Sequence, residues 1–373
     1  MFNTVVKIGG FDHIQPVYIG ENHPVAIQTM WKEKLVPSDL EGERGEALVR
    51  RISRLADIGC ALLRFAAPDM ESAETLGRLA SMVSMPLVAD IHFDYNIACR
   101  CLDFPIAKIR INPGNIGVKE NTAKVLEKAD AKGVPVRIGL NAGSLPPDLR
   151  QKAGAAGIGE IDRVDALVQA VERELAIFEE FHFNNVLVSA KASSTGETVR
   201  VNRILKKRLQ SAVPLHVGVT EAGPLVAGVV RNTAALYTLL SEGVGDTVRV
   251  SLSDSVENEV IAAREIINAV AESRGERSQG VSIVSCPRCG RNSFDTHAFT
   301  EKWLPALYSC KKPVTVAVMG CVVNGPGEAK HADIGVTGAG GKTLLFRYGK
   351  IIKTIDSEDA DREFAALLKE YMK

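Results

Sequence analysis

The sequence predicts an α/β protein: an N-terminal (β/α)8 barrel over residues 1–271, a linker at 272–280, and a small α+β domain at 281–373. Three observations carry this expectation. Through the first 270 residues, short β-branched runs alternate eight times with amphipathic, charge-laced stretches. Such alternation implies a parallel sheet with helical crossovers, and eight units in that length fit a closed barrel better than an open doubly wound sheet. The rhythm then breaks at Glu272–Gly280, a polar stretch with no apolar face.

The eight expected strands are Val25–Met30, Ala61–Ala67, Leu87–Phe93, Ala107–Pro113, Pro135–Asn141, Asn185–Ala192, Leu215–Thr220 and Thr247–Leu252. Helical periodicity between them is clearest in Glu43–Ile58, Glu120–Lys132, Asp162–Phe181 and Val199–Leu209. Beyond the linker come a Cys-Pro-Arg-Cys-Gly turn, a helical patch, and the strand Val314–Met319. Gly/Asn/Pro-rich turns follow, then hairpin strands Thr343–Tyr348 and Lys350–Ile355, and a helix from about Asp359.

Composition narrows the function. The chain's 45 Lys and Arg balance 45 Asp and Glu, which argues against holding nucleic acid or an anionic membrane by bulk charge. With 46% hydrophobic residues, disorder is not expected. The longest stretch free of acidic and basic residues, Pro313–Gly327, is shorter than the ~18 apolar residues a spanning helix needs. Gly9, Gly10 and Asp12 interrupt any apolar leader near the N-terminus. A cytoplasmic location is the expectation, with the seven cysteines reduced unless a metal or cluster holds them.

Side chains alternate between the two faces of a strand. Lys108, Arg110 and Asn112 therefore share a face, as do Arg137 and Asn141, Ser189 and Lys191, Arg249 and Ser251, and Asp90 and His92. Arg64 ends the second strand. Barrel interiors are ordinarily filled by branched apolar side chains, and active sites lie at the carboxyl ends of the strands. Here cations converge on that end, and Asp90 is the clearest acidic partner. Uncompensated buried cations are costly, whereas guanidinium forks suit a multiply charged anion. A phosphorylated or diphosphorylated substrate is expected. Glu221, after the seventh strand, suits a general acid or base, or equally a neutralising charge or helix cap.

Cys286 and Cys289 have the i, i+3 spacing that grips one metal or cluster. No second Cys pair or His pair follows. Further donors are Cys310, Cys321, Glu328 and His331. Three thiolates with an open fourth position suit a [4Fe–4S] cluster; four, with Cys310, suit structural zinc or a simple electron carrier. Spacing leaves both open. Cys60, Cys99 and Cys101 read as core or helix-face residues. Gly338–Thr343 lacks the first glycine of a P-loop and reads as a hairpin turn, and no dinucleotide fingerprint is present. Electrons would therefore come from outside the chain.

These motifs resemble the 4-hydroxy-3-methylbut-2-en-1-yl diphosphate synthase family over nearly the whole length. The resemblance rests on Ala89–Phe93, Arg110–Asn115, Arg137–Leu145, Ser189–Ser193, Thr220–Gly223, Arg249–Leu252, Cys286–Arg291 and Val318–Glu328. It implies two-electron reductive opening of 2-C-methyl-D-erythritol 2,4-cyclodiphosphate by a TIM-type barrel followed by an iron–sulfur domain. It implies a [4Fe–4S] cluster on Cys286, Cys289, Cys321 and Glu328, which decides against Cys310. Substrate binding falls to Arg64, His92, Arg110, Asn112, Arg137, Asn141, Lys191, Arg249 and Ser251, with Glu221 as the acid. Flavodoxin or ferredoxin is the implied donor, and a head-to-tail homodimer the implied assembly. One stretch departs: Gln28–Glu33 stands where many members carry a Ser-Met-Thr-type sequence. The competing reading is a non-redox phosphate-ligand barrel enzyme with a zinc-stapled tail.

Overall fold

A computed structural model describes residues 2–154, 159–210, 212–278, 280–287 and 289–372, without the side chains of Pro113, Asn324, Pro326, Glu328 and Met372. The chain divides into two compact units, Met1–Val270 and Ala271–Lys373.

The first unit opens with a hairpin the sequence reading missed, β1 (Val5–Ile8) paired antiparallel with β2 (Val17–Gly20). There follow β3 (Ala26–Met30), α1 (Gly42–Asp57), β4 (Cys60–Ala66), α2 (Met70–Ala80), β5 (Leu87–Asp90), α3 (Tyr95–Cys101), β6 (Lys108–Ile111) and α4 (Lys119–Ala131). The second half is β7 (Val136–Asn141), α5 (Pro147–Ala153), α6 (Arg163–Glu180), β8 (Val186–Lys191), α7 (Thr195–Arg208), β9 (His216–Val217), α8 (Leu225–Ser241), β10 (Thr247–Val248) and α9 (Val256–Ser273). All eight expected barrel strands are present. β9 and β10 keep ladder bonds for only two residues each, shorter than their apolar runs suggested. α9 continues two residues into the stretch read as linker.

The eight strands form one parallel sheet in the order β8-β7-β6-β5-β4-β3-β10-β9. A parallel bridge between Val188 and Leu215 joins its two ends and closes the barrel. Local chemistry starts the helices: Asp69, Asp162 and Ser194 accept from the backbone N–H of Ser72, Val164 and Glu197, each cap contributing about 1 kcal/mol. Arg100–Glu74, Arg163–Glu197 and Arg203–Glu242 pairs tie outer helices together, so much of the balanced surface charge is spent pairwise.

Inward side chains change character along the strands. At the amino ends, Ala26, Leu62, Val88, Ala107 and Leu187 form an apolar layer, against which the hairpin packs Val6, Ile8, Ile14 and Ile19. One step further up, the same faces carry Gln28, Arg64, Asp90 and Ser189. The apolar layer stabilises the barrel and leaves the carboxyl ends for chemistry.

The second unit holds β11 (Val281–Ser285), α10 (Thr296–Tyr308), β12 (Val314–Met319), β13 (Ile334–Ala339), β14 (Lys342–Arg347), β15 (Lys350–Asp356) and α11 (Ala360–Met372). Its sheet runs β11-β12-β13-β14-β15, parallel across the first three strands and antiparallel beyond. β11 and β13 were not expected from sequence. The β13–β14 hairpin turns at Gly340-Gly341, where a turn was expected. Phe299 and Trp303 of α10 meet the Phe364 ring of α11 edge-on at 5.2 and 4.9 Å. Among the described residues, no helix is long and apolar enough to cross a membrane.

Candidate active site

A cavity of about 220 Å3 opens inside the barrel, lined by Met30, Arg64, Asp90, His92, Arg110, Arg137, Asn141, Ser189, Lys191, Val219, Thr220 and Arg249. Seven of the expected substrate-binding residues meet there. Arg64, Arg110, Asn141 and Lys191 come from the carboxyl halves of their strands, Arg137 from the start of β7, and His92 and Arg249 from just past β5 and β10.

Asp90 sits between two cations. It accepts from Arg110 Nη1 at 3.0 Å and lies 3.6 Å from Arg64 Nε. Burial pushes its carboxyl up, but Arg64, His92 and Arg110 outweigh that and hold it well below the usual carboxylate range. His92 Nε2 lies 2.8 Å from Arg110 Nη1. Arg110 also donates to the Gly139 carbonyl at 2.7 Å. It can lie across β7 because Gly139 has no side chain: a Cβ there would stand 2.0 Å from Arg110 Nε.

Arg137 is fully buried and donates to Ser189 Oγ at 2.5 Å. Among the described residues its Nε and Nη2 have no hydrogen-bond partner, nor have the Nε atoms of Arg64 and Arg110, the first of which has only its longer ion-pair contact with Asp90. Beneath it, Lys108 donates to Gln28 Oε1 at 2.7 Å. Lys191 bonds the His216 ring at 3.0 Å. Burial, with the neighbouring cations, pushes Lys108, Arg137 and Lys191 well below their usual values. Burial also takes Arg64 down to about 10, with Arg249 and Arg110 adding to the fall.

A second carboxylate answers Arg249. Glu259 of α9 accepts from Arg249 Nη2 at 3.3 Å, Thr29 Oγ1 at 2.6 Å, Lys32 at 2.7 Å and the Leu252 N–H at 3.0 Å. Sequence reasoning missed it, because a glutamate on a helix face resembles any solvated charge. It also missed His216, which lies on the inward parity of its strand, and set Lys108 on the polar face of β6 without giving it a role in the site. The divergent Gln28–Glu33 stretch proves to be partly strand. Gln28, Thr29 and Met30 contact Lys108, Glu259 and Arg64.

Six cations (Arg64, Lys108, Arg110, Arg137, Lys191 and Arg249) thus face the two carboxylates that touch them among the described residues, Asp90 and Glu259. The cup holds excess positive charge with unspent guanidinium donors. An anion with several oxygens satisfies both.

Three expected residues lie outside the cavity lining. Asn112 is buried beside the loop after β6, and Ser251 is half-buried beyond β10. Glu221 is exposed, next to the lining residue Thr220, and has a left-handed backbone with φ +53°. It is not the cap of α8, which begins after Pro224.

In the second unit, Cys286 follows β11 and Cys321 follows β12, at the same end of two parallel strands. Gly320 N–H donates to Cys286 Sγ at 3.2 Å, and a Cβ on Gly320 would stand 3.2 Å from that sulfur and 2.0 Å from Asn292 Oδ1. Cys289 is exposed on the intervening turn and Cys321 is buried. Cys310 is buried before β12, its thiol 3.6 Å from the Lys312 carbonyl. The Glu328 side chain lies outside the described residues. Among those described, no three His, Cys, Asp or Glu side chains are grouped to hold a single metal ion. Cys60 and Cys101 are core residues, as expected.

Sequence models of the GcpE TIM-barrel domain and the GcpE protein C-terminal domain match residues 12–264 and 282–370. A Treponema pallidum protein named 4-hydroxy-3-methylbut-2-en-1-yl diphosphate synthase (flavodoxin) is 52% identical, the match covering 94% of this chain and 85% of that protein. A Bacillus subtilis protein of the same name is 40% identical, covering 95% and 87%. Among solved structures, Yersinia pestis dihydropteroate synthase aligns with TM-score 0.48 and 14% identity, covering 73% of this chain and 99% of that one.

Proposed function

We propose, from the premise that this chain belongs to the GcpE family, that it reduces 2-C-methyl-D-erythritol 2,4-cyclodiphosphate to 4-hydroxy-3-methylbut-2-enyl diphosphate. It is an oxidoreductase of isoprenoid biosynthesis, working in the cytoplasm. Two electrons open the ring, and a hydroxyl leaves as water. The observation that carries this reading is the barrel cup, lined by Arg64, Arg110, Arg137, Lys191 and Arg249 against one lining carboxylate, Asp90. The names of the relatives give the non-redox alternative no support.

Each residue of the cup has a task in this reading. Arg137, Lys191 and Arg64 neutralise phosphoryl oxygens, and Arg137 brings two nitrogens without a hydrogen-bond partner among the described residues. Asp90 keeps Arg64 and Arg110 oriented without cancelling the whole field. Asn112, Asn141 and Ser251 complete the polar rim, and His92 joins Arg110 at the opening. Glu221, held in a strained backbone, supplies a proton to the departing hydroxyl.

The family resemblance puts a [4Fe–4S] cluster on Cys286, Cys289, Cys321 and Glu328. Two observations favour that set. The Gly320 N–H donates to Cys286 sulfur from a position with no room for a side chain, the kind of amide contact that tunes iron–sulfur centres. The parallel register of β11 and β12 brings Cys286 and Cys321 to one end of the sheet and leaves Cys310 at the other. When bound, the cluster supplies electrons singly to the substrate. Flavodoxin or ferredoxin delivers them, and a head-to-tail homodimer pairs the barrel of one chain with the cluster domain of the other.

Anaerobic turnover of the cyclic diphosphate with a reduced viologen dye tests the activity; a reconstituted protein that leaves the substrate untouched overturns it. For the ligands, Cys321→Ala and Glu328→Ala should lose more iron on gel filtration than Cys310→Ala. The opposite ranking would put Cys310 in the fourth position. Sedimentation at micromolar concentration checks the dimer.

A further inference from the structure

We infer that His216 is a positioning residue: its imidazole, fixed by Thr247, aims the Lys191 ammonium at a phosphoryl group of the substrate. The inference rests on the activity proposed above and assigns a role to a side chain below the cavity lining.

The argument begins with what Lys191 touches. It comes from the last residue of β8, is buried, and lines the cavity. Among the described residues no carboxylate lies within ion-pair distance of it. The partner it has is His216 Nε2, at 3.0 Å. In its ammonium form, the form an anion in the cavity favours, Lys191 has three donors and no acceptor, and Nε2 then presents its lone pair. The ring proton then sits on Nδ1, which donates to Thr247 Oγ1, and the pairing of β9 with β10 places His216 directly beside Thr247. That tautomer satisfies both contacts at once.

The ring also stays neutral. Burial disfavours its charged form, and Lys191 of β8, Arg137 of β7, Lys108 of β6 and Arg64 of β4 all face it with positive charge. A protonated His216 would repel Lys191 instead of holding it. A neutral acceptor anchors one ammonium N–H from below and leaves two for the cavity. A carboxylate in that place would anchor equally well but cancel the charge that the phosphoryl group needs. Gly218, just past β9, lets the backbone pass close to the end of β10: a Cβ there would stand 2.2 Å from the Arg249 carbonyl oxygen.

Three variants of the reconstituted enzyme test this: His216→Phe, His216→Gln and His216→Asn. Phe keeps the volume and removes the acceptor. Gln can restore a polar atom near Nε2, whereas Asn restores one near Nδ1. The expected result is that His216→Phe raises KM for the cyclic diphosphate about tenfold, more than it lowers kcat. It should weaken inorganic diphosphate binding, read by calorimetry, by a similar factor. His216→Gln should recover most of both losses and His216→Asn little. Equal KM and diphosphate affinity in folded His216→Phe and parent overturn the inference, and so does equal rescue by Gln and Asn. If Phe does not fold, the Gln–Asn contrast decides. A parent enzyme that fails to turn over the cyclic diphosphate overturns the proposed activity itself, whereas an active parent with indifferent variants sinks only the role of His216.

Discussion

Arg137 shows how a single residue can be costly to the empty protein and useful to the loaded one. Its guanidinium is buried, and among the described residues two of its nitrogens lack a hydrogen-bond partner and no carboxylate pairs with it directly, so folding pays most of its desolvation. Arg137→Met should therefore leave the melting temperature unchanged or raise it. The same change should raise KM by roughly 10- to 100-fold, the loss of one or two charge-assisted hydrogen bonds. Melting and kinetics on one preparation check both; a collapse in melting temperature would make Arg137 structural. Glu174 poses the reverse question. Buried in α6 against the loop at Gly114, its carboxyl is pushed up to about 7 by burial, against an opposing hydrogen bond from the Gly114 backbone. A raised folded-state pKa contributes stability that is complete below about pH 4.5 and lost as pH rises through 7. Glu174→Gln should thus melt above the parent at pH 8 and no higher at pH 5, as read by calorimetric scans. The inward parity of Arg137 was legible in the sequence. The burial of Glu174 was not, because helix periodicity marks a face but not how deeply a loop covers it.

At the scale of elements, the seven-residue strand β4 and the six-residue β7 and β8 were readable as β-branched runs, and Arg64, Arg137, Asn141 and Lys191 of their polar parity line the cavity. What alternation cannot express is contact between elements. Glu259 reaches the cup from α9, and Arg110 reaches across β7 only because Gly139 leaves room. Gly139→Ala should accordingly displace the Arg110 guanidinium from the Gly139 carbonyl and from Asp90. The expected outcome is a KM increase comparable to that of Arg110→Met, with β7 still paired. A crystal structure of the alanine variant showing Arg110 unmoved would remove this explanation. The first hairpin and β13 escaped the sequence reading for another reason. The hairpin strands have four residues each and β13 carries two glycines, so their strand signal is weak until a neighbouring strand supplies the ladder.

Over the whole molecule, a neutral net charge conceals an uneven distribution. Pairs on the outer helices consume charge at the surface, while the barrel interior keeps an excess of cations. An anion that binds among these cations should therefore stabilise the barrel. Inorganic diphosphate at about 100 times its dissociation constant should contribute about 2.7 kcal/mol, raising the barrel's melting temperature by roughly 5–10 °C. Differential scanning fluorimetry with diphosphate, against sulfate at equal ionic strength, checks this. An equal shift with both salts would mean general screening rather than a fitted site.

The hairpin of β1 and β2, packed on the apolar layer at the amino ends of the barrel strands, makes the catalytic chamber a cul-de-sac. Whatever enters must leave by the same door. A product that still carries its diphosphate then blocks the next arrival until it departs, so inhibition by product should be competitive with substrate, and egress becomes a step that selection can tune apart from the chemistry.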